Sequence, residues 1–159
     1  MGSVEPIYFD NYLNFIIYGK PIVQKNNLNI YKKKRGNKYI SFIGHTKKMD
    51  QERNRISIEL YRQYKKIGLY KPIDYFIEVN FIFYLEKQHE PDLDNLPAIV
   101  LDAAQGIIDK KSKRRIASIL KDDKLVRKET SRKVIKGDVN YSGEPRTEFS
   151  IRRYAWWRL

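Results

Sequence analysis

Apolar residues recur every three or four positions in two stretches of the chain, and each stretch is predicted to be a helix. The first covers residues 46–66: it starts at Thr46, a residue type that caps helix N-termini, and is followed by Gly68, which favours a helix end. The second is predicted over residues 95–108, with Asn95 as its N-cap. Both stretches have one apolar face, so each helix is expected to pack against a sheet.

Alternating apolar and polar residues elsewhere predict the strands. The expected strands are residues 14–18, a hairpin over 28–42, the long strand 75–85, and two later strands, 125–135 and 147–154. Residues 75–85 carry apolar side chains on both faces, which is typical of a strand in the middle of a sheet. The last two strands are separated by a turn rich in glycine, asparagine, serine and proline.

This order of elements predicts one α+β domain over residues 1–159, a mixed β-sheet packed against helices. Residues 1–12 are expected to be a flexible N-terminal segment, and residues 110–119 a basic insertion. No apolar run reaches the roughly 18 residues of a membrane helix, and no secretion signal is recognisable, so a cytoplasmic protein without a membrane partner is expected. The absence of cysteine excludes disulfides, thiol nucleophiles and cysteine-based zinc sites.

The charge of the chain is large and unevenly distributed. Lys and Arg number 32 against 19 Asp and Glu, a formal net charge of +13, which indicates a polyanionic partner such as nucleic acid. Residues 86–109 contain six acidic and one basic residue, a net charge of −5, which leaves +18 on the rest of the chain. Carboxylates grouped inside a protein that binds phosphates lower its affinity, so they are expected to have a chemical role.

Basic runs in the hairpin and in the insertion are predicted to contact DNA phosphates. The candidate residues are Lys32, Lys33, Lys34, Arg35, Lys110, Lys111, Lys113, Arg114, Arg115 and Arg127. Any one of these runs, taken alone, is more often a solvated face than a binding site. Tyr31 and Tyr39 on the hairpin are candidates for stacking on bases.

The segment Pro91-Asp92-Leu93-Asp94-Asn95-Leu96 is the sharpest candidate for chemistry. If the segment is extended, Asp92 and Asp94 point the same way, and carboxylate oxygens are ligands that suit Mg²⁺. The pair Asp122-Asp123 could supply a further ligand at the edge of the same sheet. The alternative is that Asp92 and Asp94 only cap the following helix, and that Asp122-Asp123 is an exposed turn.

These residues resemble the RusA-type Holliday-junction resolvases, small endonucleases of bacteria and their phages. The resemblance lies in Asp92-Leu93-Asp94-Asn95-Leu96, the helix that follows with Asp102, and the later pair Asp122-Asp123. It implies a RusA-like fold and a homodimer that nicks a four-way DNA junction symmetrically during recombination and repair, with Mg²⁺ or Mn²⁺ bound. It also implies three metal-binding catalytic acids: Asp92, Asp94 and Asp123.

The chain departs from that family in two respects. Family members commonly carry a catalytic lysine where this chain has Ala98, and the basic segment that follows the second helix is longer than expected. Lys110, Lys111 or Lys124 could reach the site instead. Two other hypotheses stay open: a basic DNA- or RNA-binding protein without catalysis, and a nuclease of the PD-(D/E)xK type using Pro91-Asp92 and Asp109-Lys110-Lys111.

Overall fold

The computed structural model of the chain describes residues 11–23, 28–86 and 91–158. Residues 87–90, which belong to the acidic stretch 86–109, lie outside the described residues. The described residues form eight strands and two helices. They are β1 (Leu13–Tyr18), β2 (Leu28–Arg35), β3 (Lys38–His45), α1 (Lys47–Lys66), β4 (Ile77–Leu85), α2 (Pro97–Ala104), β5 (Ile107–Ile108), β6 (Arg115–Ile116), β7 (Val126–Ile135) and β8 (Arg146–Arg153). Short 3-10 turns cover Leu93–Asn95, Asp123–Leu125 and Trp156–Arg158.

Four of the strands form a mixed sheet in the order β1-β8-β4-β7. The strand β4 pairs antiparallel with β8 and parallel with β7, so it occupies the interior position that its apolar residues predict. The strands β2 and β3 form a separate two-stranded ribbon, and β5 and β6 form a second, very short one. The α+β class and the mixed sheet packed with two helices are therefore confirmed.

One face of the sheet carries the hydrophobic core. Phe15, Phe81, Phe83 and Phe149 are each 1% exposed or less, and the rings of Phe81 and Phe149 stack with centroids 4.7 Å apart. Helices α1 and α2 pack against each other, with the buried Ser57 hydroxyl donating a 2.7 Å hydrogen bond to the carbonyl of Ala103. The two helices are thereby fixed relative to each other.

Helix α1 has the boundaries that its sequence predicts. The Thr46 hydroxyl accepts a 3.1 Å hydrogen bond from the amide of Met49, and Gly68 adopts a φ of +87° just after the last turn.

In the described part of the chain, no helix is both long enough and apolar enough to cross a bilayer.

Helix α2 is shorter than predicted at both ends. It begins at Pro97 with Leu96 as its N-cap, whereas Asn95 belongs to the preceding 3-10 turn. It ends at Ala104 because the carbonyl of that residue accepts the amides of Ile119 and Leu120, and because Gly106 turns the chain with a φ of +91°. The predicted last residues of this helix, Ile107–Ile108, form β5 instead.

The last two long strands are present but are not neighbours. The sequence predicts them on either side of a turn, yet β4 lies between β7 and β8 in the sheet. The strand β4 pairs on both edges, parallel with β7 on one side and antiparallel with β8 on the other, and so separates the two.

The face of the sheet opposite the core holds a buried carboxylate. Glu78 is 4% exposed and forms ion pairs with Arg152 and, at 3.9 Å, with Lys128. The hydroxyl of Tyr12 donates a 3.1 Å hydrogen bond to Glu78, and the Arg152 guanidinium lies 4.4 Å from the centre of the Tyr12 ring. Tyr12, at the end of the segment 1–12 that is predicted to be flexible, therefore contacts the sheet, and residues 1–10 lie outside the described residues.

Candidate metal centre and nucleic-acid interface

Asp92 and Asp94 lie at the start of a 3-10 turn between β4 and α2, and both are exposed. Asp92 is extended, with φ −63° and ψ 138°, while Asp94 is inside the turn Leu93–Asn95. The prediction that both carboxylates point the same way along an extended segment is therefore wrong, since a 3-10 turn has about three residues per turn. The two Cα atoms are still no more than about 7 Å apart, because only one residue separates them.

Capping by a side-chain hydrogen bond does not account for Asp92, whereas Asp94 lies in the first turn, where a carboxylate favours the helix dipole. Asp92 occupies the N-cap position of the 3-10 turn, but its side chain makes no capping hydrogen bond, and the N-cap of α2 is Leu96. Asp122 behaves differently: its carboxylate accepts a 2.9 Å hydrogen bond from the amide of Lys124, and this bond is the main reason that its pKa is lowered. Asp122 thus caps the 3-10 turn Asp123–Leu125, whereas the side chain of Asp92 caps nothing.

A lysine that the sequence does not single out lies beside the Asp92 segment. The half-buried Lys133, on β7, donates a 3.2 Å hydrogen bond from its ammonium group to the carbonyl oxygen of Pro91. Forty-two positions separate the two residues, and only the pairing of β7 with β4 brings them together. The positive charge of this lysine is therefore held one residue away from Asp92.

Asp123 lies at a different end of the sheet from Lys133. It is exposed in the 3-10 turn that leads into β7, and Val126, the first residue of β7, pairs with Ile77 at the start of β4. Lys133 is near the last residues of the same strand. Across residues 11–23, 28–86 and 91–158, no group of three His, Asp or Glu side chains is placed to hold one ion.

Asp92 and Asp94 nevertheless fit a magnesium or manganese ion by their chemistry. Both offer hard carboxylate oxygens on an exposed turn, and Mg²⁺ in proteins often takes only one or two carboxylates, with water and substrate phosphate as its remaining ligands. The structure does not bring Asp123 to these two residues as a third ligand within the described monomer. The described residues thus show two exposed carboxylates within one turn.

The ribbon formed by β2 and β3 is basic and exposed along its length. Lys32, Lys33, Lys34 and Arg35 are all exposed on β2, as the sequence predicts for residues that no core could accept. The ribbon also exposes apolar side chains: Ile30 is 72%, Tyr39 69%, Phe42 49% and Ile43 71% exposed. A two-stranded ribbon has the dimensions to enter the major groove of DNA.

The two tyrosines that were candidates for base stacking differ in their surroundings. The ring of Tyr31 stacks on Phe42 with centroids 5.6 Å apart, and its hydroxyl donates a 2.8 Å hydrogen bond to the carbonyl of His45. Tyr39 is 69% exposed. Tyr39 is therefore the better placed of the two to contact a base.

The basic insertion is a tight hairpin whose loop connects β5 to β6. Asp109 accepts a 2.8 Å hydrogen bond from the amide of Ser112, and the hydrogen bonds from Ser112 are the main reason that the pKa of Asp109 is lowered. Lys113 adopts a φ of +60° in the loop. Five exposed cations project from this hairpin: Lys110, Lys111, Lys113, Arg114 and Arg115.

This geometry bears on the PD-(D/E)xK hypothesis. The PD-(D/E)xK pattern requires its second acid on a strand, whereas the helix predicted over residues 95–108 would place Asp109 at a helix end. In the structure Asp109 directly follows the short strand β5, so the predicted helix end is wrong. Its carboxylate closes the turn of the hairpin through Ser112. Pro91, the other half of the motif, contacts Lys133 on β7. Asp109 therefore has a structural role in this turn.

The remaining predicted cation, Arg127, lies near the start of β7. It is exposed, and its guanidinium carbon lies 3.9 Å from the centre of the Phe76 ring. A cation stacked on an aromatic ring is held in a defined orientation. Phe76 thus orients Arg127 at the start of β7, four residues after Asp123.

The lysines that could replace the family lysine lie at different distances along the fold from the Asp92 segment. Ala98 is in the first turn of α2, next to the Asp92 segment, whereas Lys110 and Lys111 follow the far end of that helix. Lys124 adjoins Asp123. Lys133 contacts the Asp92 segment directly, through the carbonyl oxygen of Pro91.

Comparison with known proteins adds no family to these observations. No protein-family model matches the chain, and no curated protein matches it significantly. The link to a known family is thus the sequence resemblance carried by Asp92-Leu93-Asp94-Asn95-Leu96.

Proposed function

We propose that the protein is a metal-dependent endodeoxyribonuclease of the RusA type, which resolves four-way DNA junctions by paired nicks and acts as a homodimer. The two-fold symmetry of such a dimer matches the two equivalent strands that must be cut in a junction. Bacteria and their phages are the proposed source, because the resembling family occurs there.

The observation that carries the proposal is the pair of exposed aspartates beside a fixed lysine. Asp92 makes no capping bond, Asp94 is exposed two residues later, and Lys133 holds a positive charge against Pro91. Acidic groups without a structural role, in a chain of net charge +13, are explained by a metal ion that joins them to phosphate.

Asp92 and Asp94 would hold Mg²⁺ or Mn²⁺; the resemblance implies Asp123 as a third acid, but the described monomer has it at the start of β7, away from these two. When bound, such an ion supplies a water of lowered pKa and neutralises charge on the phosphate. The ammonium group of Lys133 favours a phosphate beside Asp92. The exposed cations of the two hairpins hold the phosphates on either side and make binding sensitive to salt.

A second candidate function is DNA or RNA binding without cleavage. Two observations favour it: Ala98 occupies the position of the family lysine, and the described monomer does not gather three acids around one point. The basic ribbon and insertion serve this function equally well.

Incubation of the protein with a labelled four-way junction separates the two candidates. With Mg²⁺ or Mn²⁺, an endonuclease gives symmetric nicks whose ends DNA ligase can seal, and EDTA stops the reaction. A binding protein shifts the junction in a gel and never nicks it under either condition. Nicking of a linear duplex at the same rate as the junction would contradict the proposed structure selectivity.

Divalent metal is expected to stabilise the folded protein. An ion that binds only the folded state raises stability by about 1.4 kcal/mol at a concentration tenfold above its Kd. For a domain of this size that corresponds to a rise in Tm of roughly 3 °C. Thermal unfolding with and without Mn²⁺ measures the shift, and the Asp92→Asn variant is expected to lose it. An equal shift in that variant would place the ion elsewhere.

Replacing Lys133 by glutamine is expected to slow nicking at least about tenfold while junction affinity changes less than about threefold. Glutamine keeps an amide donor and removes the charge, but its side chain is one bond shorter, so the comparison with Lys133→Arg, which restores the charge, reports the contribution of the charge. Single-turnover nicking measures it, with Lys136→Gln, an exposed lysine just beyond β7, as the matched control. Recovery by Lys133→Arg is expected. A Tm lowered in parallel with the rate would assign Lys133 a structural role instead.

A further inference from the structure

A polar cleft of about 450 Å³ lies between helix α1 and the hairpin of β5 and β6. Its α1 wall includes Lys47, Gln51, Arg53 and Asn54, and its other wall includes Lys110 and Arg115. The cleft is separate from the aspartate site: it adjoins the C-terminal end of α2, and the Asp92 segment precedes the N-terminal end of that helix, about 12 Å away along the axis.

The walls of the cleft are fixed relative to each other. The α1 wall is joined to α2 by the buried hydrogen bond between Ser57 and Ala103. The hairpin wall meets the end of α2 at Gly106, where a Cβ atom would overlap the carbonyl oxygen of Ile116. The guanidinium of Arg115 also donates a 3.4 Å hydrogen bond to the carbonyl of Gln105. The cleft is therefore formed by packed backbone and does not depend on a ligand to shape it.

The lining of the cleft favours an anion. Four cations, Lys47, Arg53, Lys110 and Arg115, outnumber the two carboxylates, Asp50 and Asp102. Asp50 is paired with Arg53 at 3.1 Å, so one of the negative charges is already compensated within the wall. The amide side chains of Gln51 and Asn54 add hydrogen-bond donors that are independent of charge.

The size of the cleft decides which form of nucleic acid it can take. The volume is in the range of small-ligand sites, and it is too small for the two strands of a duplex whose major groove alone is about 12 Å wide. A single strand, whose sugar-phosphate backbone presents one phosphate at a time, fits between the two walls. The mixture of cations and amides also suits a phosphodiester better than a protein carboxylate, since it offers several donors to one group.

We propose that the cleft between α1 and the β5–β6 hairpin binds the backbone of an unpaired DNA strand. The inference rests on the proposed function for its choice of DNA and deepens it, because it assigns the basic insertion to strand binding. Branched DNA supplies such a strand where base pairs open at the crossover.

Fluorescence anisotropy in EDTA tests the cleft without any cleavage. The probes are a labelled oligothymidylate strand and a duplex of equal length, and the test variant is the double substitution Lys47→Gln with Arg115→Gln. The control, Lys66→Gln with Lys71→Gln, removes the same charge from exposed residues outside the cleft. Unchanged Tm values verify folding, since all four side chains are exposed.

The test variant is expected to raise the Kd for the single strand about tenfold and the Kd for the duplex less than about threefold. Its salt dependence for the single strand is expected to fall by about 1.4 in the slope of log K against log salt, or about 0.7 per lost phosphate contact. The control is expected to weaken both probes to a similar, small extent. Asp50→Asn, which removes a negative charge from the wall, is expected to tighten single-strand binding.

Two results would overturn the inference: equal weakening of strand and duplex, or the same loss in the control as in the test variant. Neither depends on nuclease activity, so the cleft and the nuclease can fail separately. If the protein never nicks a junction but the test variant shows the strand-selective loss of affinity, the single-strand cleft is supported and the proposed nuclease activity is rejected.

Discussion

Replacing Asp92 or Asp94 by asparagine is expected to lower junction nicking at least about 10³-fold, a loss of about 4 kcal/mol of transition-state stabilisation. Asparagine keeps the size of the side chain and removes the charge that would hold the metal. Neither residue is in the core, and Asp92 makes no capping bond, so the fold is expected to be unaffected. Junction binding is expected to stay at least as strong, because each substitution removes a negative charge near the phosphates.

Single-turnover nicking of a labelled junction in Mn²⁺, together with gel-shift titration in EDTA, measures the two quantities separately. Asp74→Asn is a matched control, since Asp74 is exposed and pairs with Lys121 at 3.1 Å on another part of the surface. Wild-type nicking by Asp92→Asn would remove the proposed site. A loss of nicking that accompanies an equal loss of binding would assign Asp92 to DNA contact.

Asp123→Asn decides whether the third acid of the resembling family acts in this chain. If the site assembles all three acids when DNA and metal are bound, this variant is expected to match Asp92→Asn. If two carboxylates suffice, its nicking rate is expected to stay within about tenfold of the wild type. The structure brings Lys133 to the Pro91–Asp92 segment and has Asp123 near the start of β7. The Asp123→Asn variant therefore tests whether Asp123 takes part in the site of Asp92 and Asp94.

The second large effect is expected in stability. Arg152→Met is expected to lower the free energy of unfolding by about 3 to 5 kcal/mol, since it leaves the 4% exposed carboxylate of Glu78 without its arginine partner. Lys128 lies 3.9 Å away and is half exposed, so it compensates only in part. The stacking of Arg152 on Tyr12 is lost as well.

Urea unfolding measures this loss, with Arg132→Met, an exposed arginine of β7, as the control on surface charge. The double variant Arg152→Met with Glu78→Leu is expected to recover most of the stability, because it removes the buried charge that the single variant leaves unpaired. A loss below about 1 kcal/mol in Arg152→Met would show that Glu78 is solvated or compensated in another way.

Local sequence signals predict most of the elements, and their failures have physical causes. Thr46 and Gly68 mark the ends of α1 correctly because both act through neighbouring backbone groups. The end of α2 is misplaced because Ala104 accepts hydrogen bonds from Ile119 and Leu120, and no local pattern contains that contact. The directions of the side chains around Asp94 are likewise misjudged, because Leu93–Asn95 forms a 3-10 turn and not an extended segment.

The sequence predicts the acidic residues of the candidate site, but it does not predict that Lys133 lies beside them. The motif from Asp92 to Leu96 is visible in the sequence, but Lys133 reaches it only through the parallel pairing of β7 with β4. The cleft has the same origin, since it joins Lys47 to Arg115 across elements far apart in the chain.

The position of β8 between β1 and β4 has a kinetic consequence. Asn14 and Ser150, whose side chains hydrogen-bond at 2.9 Å, are 136 positions apart, so the sheet cannot close until its latest strand inserts between two earlier ones. Closing loops of that length costs chain entropy before any contact is gained, which predicts slow refolding, on the scale of milliseconds to seconds or longer. Until β8 inserts, the apolar edge of β4 is unpaired, and dilute conditions are expected to favour recovery of the native protein.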